Sequence, residues 1–172
     1  MLAQLAEFSI EAVEQPLRRG LPSELALLKK QSPIPVMVDE SLVTLTDARA
    51  LIDAGACDYF NLRVSKCGGL ARTLEMAQMA SRAGLRLQLG SQVGETAILS
   101  AAGRHVAAYL TDVDFLEGSY GTLLLKEDVG RDSVNFGHGG RAPVLRGLGL
   151  GVKVREEILD KYAVTKVRLG KD

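Results

Sequence analysis

Residues Tyr59–Gly69 read YFNLRVSKCGG. YFNLRV is rich in aromatic and β-branched residues, so Tyr59 to Val64 is a predicted strand. Polar chemistry, Arg63 and Lys66, gathers at its C-terminal end. A helix is expected over Leu70 to Ala83, with Gly84 just past its end. Upstream, Pro35 to Val38 (PVMV) is another strand, followed by a helix over Thr46 to Ala54 that Thr44 or Thr46 caps and Gly55 stops. Further upstream stand a strand over Ile10 to Val13 and a helix over Ser23 to Lys30, with Ser23 as its N-cap. Downstream come a strand over Leu85 to Leu89, a helix over Thr96 to Leu110 and a strand over Val113 to Leu116. Past about Gly118 glycine and charge dominate through Gly151, a short helix is expected at Val154 to Tyr162, and the closing VRLGKD is expected to fray.

The strands end at Glu14, Asp39, Arg63, Gly90 and Glu117, about 25 residues apart. A repeat of that length, strand then helix with short loops, implies parallel strands and right-handed crossovers. A doubly wound sheet and part of a (β/α) barrel both satisfy it. No GxGxxG follows the first strand, which leaves a dinucleotide fold without its signal. Five units fall short of the eight, and about 250 residues, of a complete barrel.

Composition narrows the function. With 47% hydrophobic residues the chain can bury one sizeable core. Its 21 basic and 21 acidic residues cancel, leaving no electrostatic footprint for nucleic acid or an anionic membrane. No apolar run is long enough to cross a bilayer. The stretch Met1–Gln15 has neither a basic n-region nor a small-residue cleavage site, so no signal peptide is expected. Cys57 and Cys67 do not form a CxxC pair and read as two inert thiols of a cytoplasmic protein.

In a barrel all strand C-termini open on one face, where active sites are built. Glu14 in VEQP and Asp39 with Glu40 in VDES would converge there from neighbouring strands. Such an oxygen-rich pair suits Mg²⁺, or Mn²⁺ in its place. Arg63 and Lys66 would sit across the same pocket. That arrangement suits proton abstraction beside a carboxylate. Alone, each acid also reads as a loop cap. His105 reads as a packed or surface residue of its helix, and His138 as part of a turn.

EQP, PVMVDES and NLRVSKCGG, in this order and spacing, resemble the enolase superfamily, in the branch of muconate cycloisomerases, dipeptide epimerases and mandelate racemase. The likeness runs over about residues 5 to 155 and includes LGSQVGET and FLEGSY. It implies a partial TIM barrel holding strands four to eight over residues 1–125. Residues 126–172 would be a tail that in relatives returns to a capping domain. It implies Mg²⁺-dependent enolisation of a small carboxylate substrate, of cycloisomerase, epimerase, racemase or dehydratase type. Glu14 and Asp39 match two metal ligands, with Glu40 and Asn61 as their neighbours. Nothing matches the family's first metal ligand or its Lys-x-Lys pair. The sixth strand usually reads KxxKxGG; here Arg63 replaces the first lysine and Lys66 keeps the second. A guanidinium is a poor base, so Arg63 is expected to grip a carboxylate or steady an anion, with Lys66 ranked behind it. Strand alternation sends Lys66 away from the pocket unless the strand has already ended. Glu95 and Glu117 are candidate substrate contacts. The direction of Gln88 stays open. An incomplete barrel would fold or associate only, with another copy or with an N-terminal half.

Overall fold

The computed structural model of the chain describes residues 2–118, 121–167 and 170. Two short turns of helix, α1 (Leu2–Leu5) and a 3₁₀ turn (Ala6–Phe8), precede β1 (Val13–Glu14). Then come α2 (Pro22–Gln31), β2 (Val36–Val38), α3 (Leu45–Asp53), β3 (Tyr59–Leu62), α4 (Leu70–Arg82), β4 (Arg86–Leu89), α5 (Ala97–Tyr109) and β5 (Phe115–Leu116). After β5 come α6 (Gly121–Leu124), a 3₁₀ turn (His138–Gly140) and α7 (Glu156–Tyr162). The five strands form one parallel sheet in the order β1-β2-β3-β4-β5, a half-barrel. This settles the choice of architecture in favour of the partial barrel over a doubly wound sheet, in which the strand order would reverse.

Alternation along the strands divides the sheet into two faces. Val36, Val38, Phe60, Leu62, Leu87 and Leu89 point outward and pack with Leu25 of α2, Leu51 of α3, Met76 of α4 and Val106 of α5. Burying a side chain of this size contributes about 1.5–3 kcal/mol, so this layer, more than any cap, holds the fold. The other face carries Glu14, Tyr59, Asn61, Gln88 and Phe115. The sheet curls around this second face. Glu14 on β1 lies 3.5 Å from Gln88 on β4, three strands away, where flat strands would stand about 14 Å apart. Tyr59 and Phe115 stack their rings 5.7 Å apart at the N-terminal end, with the Arg86 guanidinium over Tyr59.

Several boundaries differ from the expectations. β1 starts at Val13 instead of Ile10 because only Val13 and Glu14 find register partners on β2. Ser23 does not cap α2; Pro22 occupies the first turn after Leu21, and no side chain caps it, which fits proline's fixed φ and missing N–H. Thr44, one of the two expected caps, closes a capping box with Asp47 on α3. β3 stops at Leu62, two residues early. Arg168, Leu169, Lys171 and Asp172 of the expected frayed end lie outside the described residues.

The tail is tied to α5. No side chain of Thr96 caps that helix, but Asp128 accepts from Ala97 N at 3.0 Å, closing the N-terminus from 31 residues downstream. Arg155 donates to Asp128 O, Arg104 to Val134 O, and His105 Nε2 lies 3.0 Å from Leu150 O. His105 is thus a packed residue, and His138 lies exposed in its turn.

Both cysteines are buried and free. Burial pushes the Cys57 thiol up from 9.0 to about 12. The unfolded thiol ionises first, so the stability this proton contributes is full below about pH 9 and is lost as pH rises towards about 12. The expected result is that a thiol reagent at neutral pH labels neither cysteine until denaturant is added. In Cys57→Ala the alkaline fall in stability is shallower. Rapid native labelling of Cys57 would contradict the packing described.

Candidate active site

The site forms where β1, β2 and β3 end. Glu14 is the last residue of β1, and Asp39 directly follows β2. Asp39 is 1% exposed, whereas the Glu14 side chain remains 39% exposed. Gln15 fixes their relation. Its φ of 41° is in the left-handed region that costs most residues energy. The twist lets its side-chain Oε1 accept from Asp39 N at 3.0 Å and Ser41 N at 3.1 Å, while Nε2 donates to Ser41 Oγ at 2.9 Å. The turn that carries Asp39 is therefore pinned to the end of the neighbouring strand.

Arg63 follows β3 and reaches across both acids. Its Nη2 donates to Asp39 Oδ2 and lies 3.7 Å from Glu14 Oε1 and 4.0 Å from Glu40 Oε1. Lys66 arrives from the turn beyond. Cys67 N bonds Arg63 O and Gly69 N bonds Val64 O, while Gly68 and Gly69 adopt φ of 86° and 98°. This turn folds Lys66 back, so the strand ends early enough to bring it into the site. Its Nζ donates to Asp39 Oδ1 at 2.5 Å, Asp39 O at 2.7 Å and Asn61 O at 2.9 Å. An ammonium has three hydrogens, and all three are engaged. Burial lowers the Lys66 pKa from 10.5 to about 8, outweighing the neighbouring acids.

A second row of amides holds Glu14. Asn61 Nδ2 donates to Glu14 Oε1 at 2.9 Å. Asn61 is fully buried and its Oδ1 has no partner. It packs against Gly90, where any side chain would collide with the amide. Gln88 Nε2 lies 3.5 Å from Glu14 Oε2 and 3.4 Å from Glu117 Oε1, so Gln88 faces the concave side and joins the two acids. Glu117 also accepts from Ser91 N at 3.1 Å. Glu95 is 7% exposed and turned back on its own loop, accepting from Ser100 Oγ at 2.6 Å and Gln92 N at 3.1 Å. Nothing in the sequence marks Gln15, whose role rests on one backbone torsion, and Gln88 stands out only as a polar residue in an apolar strand.

A cavity of about 240 Å³ opens beside these strand ends, between them, α5 and the tail. Arg63, Gly90 and Glu117 line its polar side, and Leu116, Phe136 and Leu145 its apolar side. The arrangement has hard anionic oxygens at one end, two cations beside them and an apolar chamber alongside. It can hold a cation and the carboxylate of a small molecule together.

Residues 1–158 match the family described as enolase C-terminal domain-like. The chain is 33% identical over 159 residues to muconate cycloisomerase 1 of Rhodococcus opacus, covering 92% of this chain and 42% of that protein. It is 30% identical over 165 residues to an N-succinyl-L-Arg/Lys racemase of Bacillus cereus, covering 95% and 43% respectively. Among solved structures, a dipeptide epimerase from Cytophaga hutchinsonii, complexed with Mg and the dipeptide D-Ala-L-Val, superposes with a TM-score of 0.85 at 29% identity, covering 93% of this chain and 43% of that one. The chain thus spans less than half the length of the curated relatives it matches. By sequence and by fold it belongs to the enolase superfamily, among the C-terminal barrel domains of muconate cycloisomerase and mandelate racemase type.

Proposed function

We propose that this chain carries the cation-holding half of an enolising active site, which acts on the carbon next to a carboxylate. One observation carries the reading. A single nitrogen of Arg63 contacts both Glu14 and Asp39, so the two acids stand one cation apart. Carboxylates on adjacent strand ends suit a hard divalent ion, Mg²⁺ or Mn²⁺. Glu14 and Asp39 would be two of its ligands, and water, substrate oxygens or residues outside this chain the rest. Such an ion supplies Lewis-acid stabilisation of negative charge on the substrate carboxylate.

The chain's own residues then have separate tasks. Lys66 orients Asp39 and screens its charge; with every hydrogen engaged it is a positioning residue. Asn61 and Gln88 orient Glu14. Arg63, whose guanidinium is a poor base, grips a substrate carboxylate or anionic intermediate. Glu117 and the apolar side of the cavity select the remainder of the substrate, while Glu95, buried and bonded to Ser100 and Gln92, shapes the loop beside them. The proton-abstracting base then comes from outside these residues. That favours one-base chemistry, such as syn-elimination or cycloisomerisation, over two-base racemisation.

A second reading also has support. Among the described residues no group of three His, Cys, Asp or Glu side chains gathers around a common point, and neither cation in the site is free to act as a base. The chain alone would then be an incomplete barrel that binds or associates without turnover. The test is solvent-deuterium incorporation at the α-carbon of a dipeptide, an N-succinyl amino acid or a muconate lactone in D₂O with Mg²⁺. Incorporation that EDTA abolishes would support enolisation and would place the base elsewhere in this chain. Mn²⁺ binding, seen by paramagnetic resonance, without exchange would favour the incomplete barrel. No Mn²⁺ binding at all would overturn the metal reading. At a hundred-fold excess over its dissociation constant the ion adds about 2.7 kcal/mol, which raises the melting temperature by roughly 5–10 °C.

A further inference from the structure

The geometry that supports a metal site also contains an obstacle to it. The oxygens that would ligate an ion are already in use. Asp39 Oδ2 accepts from Arg63, and Asp39 Oδ1 from Lys66 at 2.5 Å. Glu14 Oε1 lies 3.7 Å from the same Arg63 nitrogen. A divalent ion entering between Glu14 and Asp39 therefore meets a guanidinium on the lone pairs it requires. A divalent ion and the guanidinium cannot both occupy Asp39 Oδ2 and the gap to Glu14 Oε1, and Asp39 is almost fully shielded from the water that would weaken their repulsion.

The two cations around Asp39 are held differently. Lys66 is locked by three acceptors, two of them backbone carbonyls. Arg63 touches the acids through Nη2 alone, and its buried Nε has no hydrogen-bond partner. The paired, bidentate grip that usually fixes a guanidinium on a carboxylate is missing. Arg63 also lines the 240 Å³ cavity, which is large enough to receive the displaced end of its side chain.

We infer that Arg63 is an exchangeable internal counter-ion, which neutralises Glu14 and Asp39 while no divalent ion is bound and swings into the adjoining cavity when one binds. The inference rests on the metal reading above. It adds an order of events: the ion enters first and frees the guanidinium, which only then can grip a substrate carboxylate. By linkage, a carboxylate that binds freed Arg63 tightens ion binding to the same degree that the ion tightens carboxylate binding.

The test uses the 172-residue chain with Mn²⁺ alone as probe, in the wild type, Arg63→Met and Arg63→Lys. Paramagnetic resonance gives Mn²⁺ affinity; melting is followed in EDTA and in saturating Mn²⁺. Arg63→Met is expected to bind Mn²⁺ at least ten-fold more tightly. In EDTA it melts below the wild type, because its carboxylates have lost their counter-ion, and saturating Mn²⁺ closes the gap. Arg63→Lys keeps a tethered charge and stays near the wild type in both measurements; should Arg63→Met not fold in EDTA, Arg63→Gln, which also removes the charge, takes its place in the comparison. Equal Mn²⁺ affinity in all three, with a melting gap that Mn²⁺ does not change, would overturn the exchange and leave the metal site standing. Failure of every chain to bind Mn²⁺ would overturn both.

Discussion

Lys66→Met should lower the stability of the chain by about 3 kcal/mol, while Lys66→Met combined with Asp39→Asn should lose less than either single change. The Lys66 side chain is 12% exposed and Asp39 1%, so neither charge has water to fall back on. Removing one partner of such a pair leaves the other buried and uncompensated, a loss of about 3–5 kcal/mol. The lower end applies because Arg63 still contacts Asp39 on its other oxygen. Two backbone carbonyls, Asp39 O and Asn61 O, lose a charged donor as well. Methionine fills nearly the same volume, so packing loss is small. Neutralising Asp39 in addition removes the orphaned charge, which is why the double variant recovers. Equilibrium urea unfolding of the four chains closes the cycle. A loss under about 1 kcal/mol for Lys66→Met would mean an ordinary surface pair, and Lys66 would not be the residue that holds Asp39 in place.

The same residue shows how much the sequence disclosed. The five strand–helix units, their parallel order and the common end of the sheet that carries Glu14, Asp39 and Arg63 were all legible, because alternation and spacing encode them. The path after Leu62 was legible only in part. Two-residue alternation places Asn61 and Arg63 on one face, and the structure agrees. Carried on to Lys66 it points away, and there it fails, because the chain has left the extended conformation. The Gly68–Gly69 pair announces a turn, but its direction depends on backbone bonds from Cys67 and Gly69 that no local pattern specifies. Gln15 is the opposite case. Nothing in EQP signals a left-handed glutamine, since the torsion is held by contacts with Asp39 and Ser41, 24 and 26 residues further on. Helix α5 makes the same point, because its N-terminal acid, Asp128, comes from the tail.

Glu14→Gln and Asp39→Asn should both abolish tight Mn²⁺ binding, by on the order of a hundred-fold or more, but only the second should damage the fold. On the proposed metal site the two acids have equal standing as ligands; as structure their standing is unequal. Glu14 is 39% exposed on the side chain. Its partner Asn61 Nδ2 would find a carbonyl oxygen on glutamine as readily as a carboxylate oxygen. The expected stability change for Glu14→Gln is therefore within about 1 kcal/mol. Asp39 is the only carboxylate that contacts both Lys66 and Arg63 closely among the described residues. Neutralising it leaves two cations facing each other in a buried corner, a loss of about 3–5 kcal/mol. Measuring Mn²⁺ affinity and urea stability on both variants separates the roles, because a purely structural Glu14 would leave ion binding untouched. If Glu14→Gln bound Mn²⁺ as tightly as the wild type, the ion would not lie between β1 and β2. The shared Arg63 contact would then be an ordinary ion pair at the mouth of the sheet, and the enolising chemistry would have to be sought elsewhere.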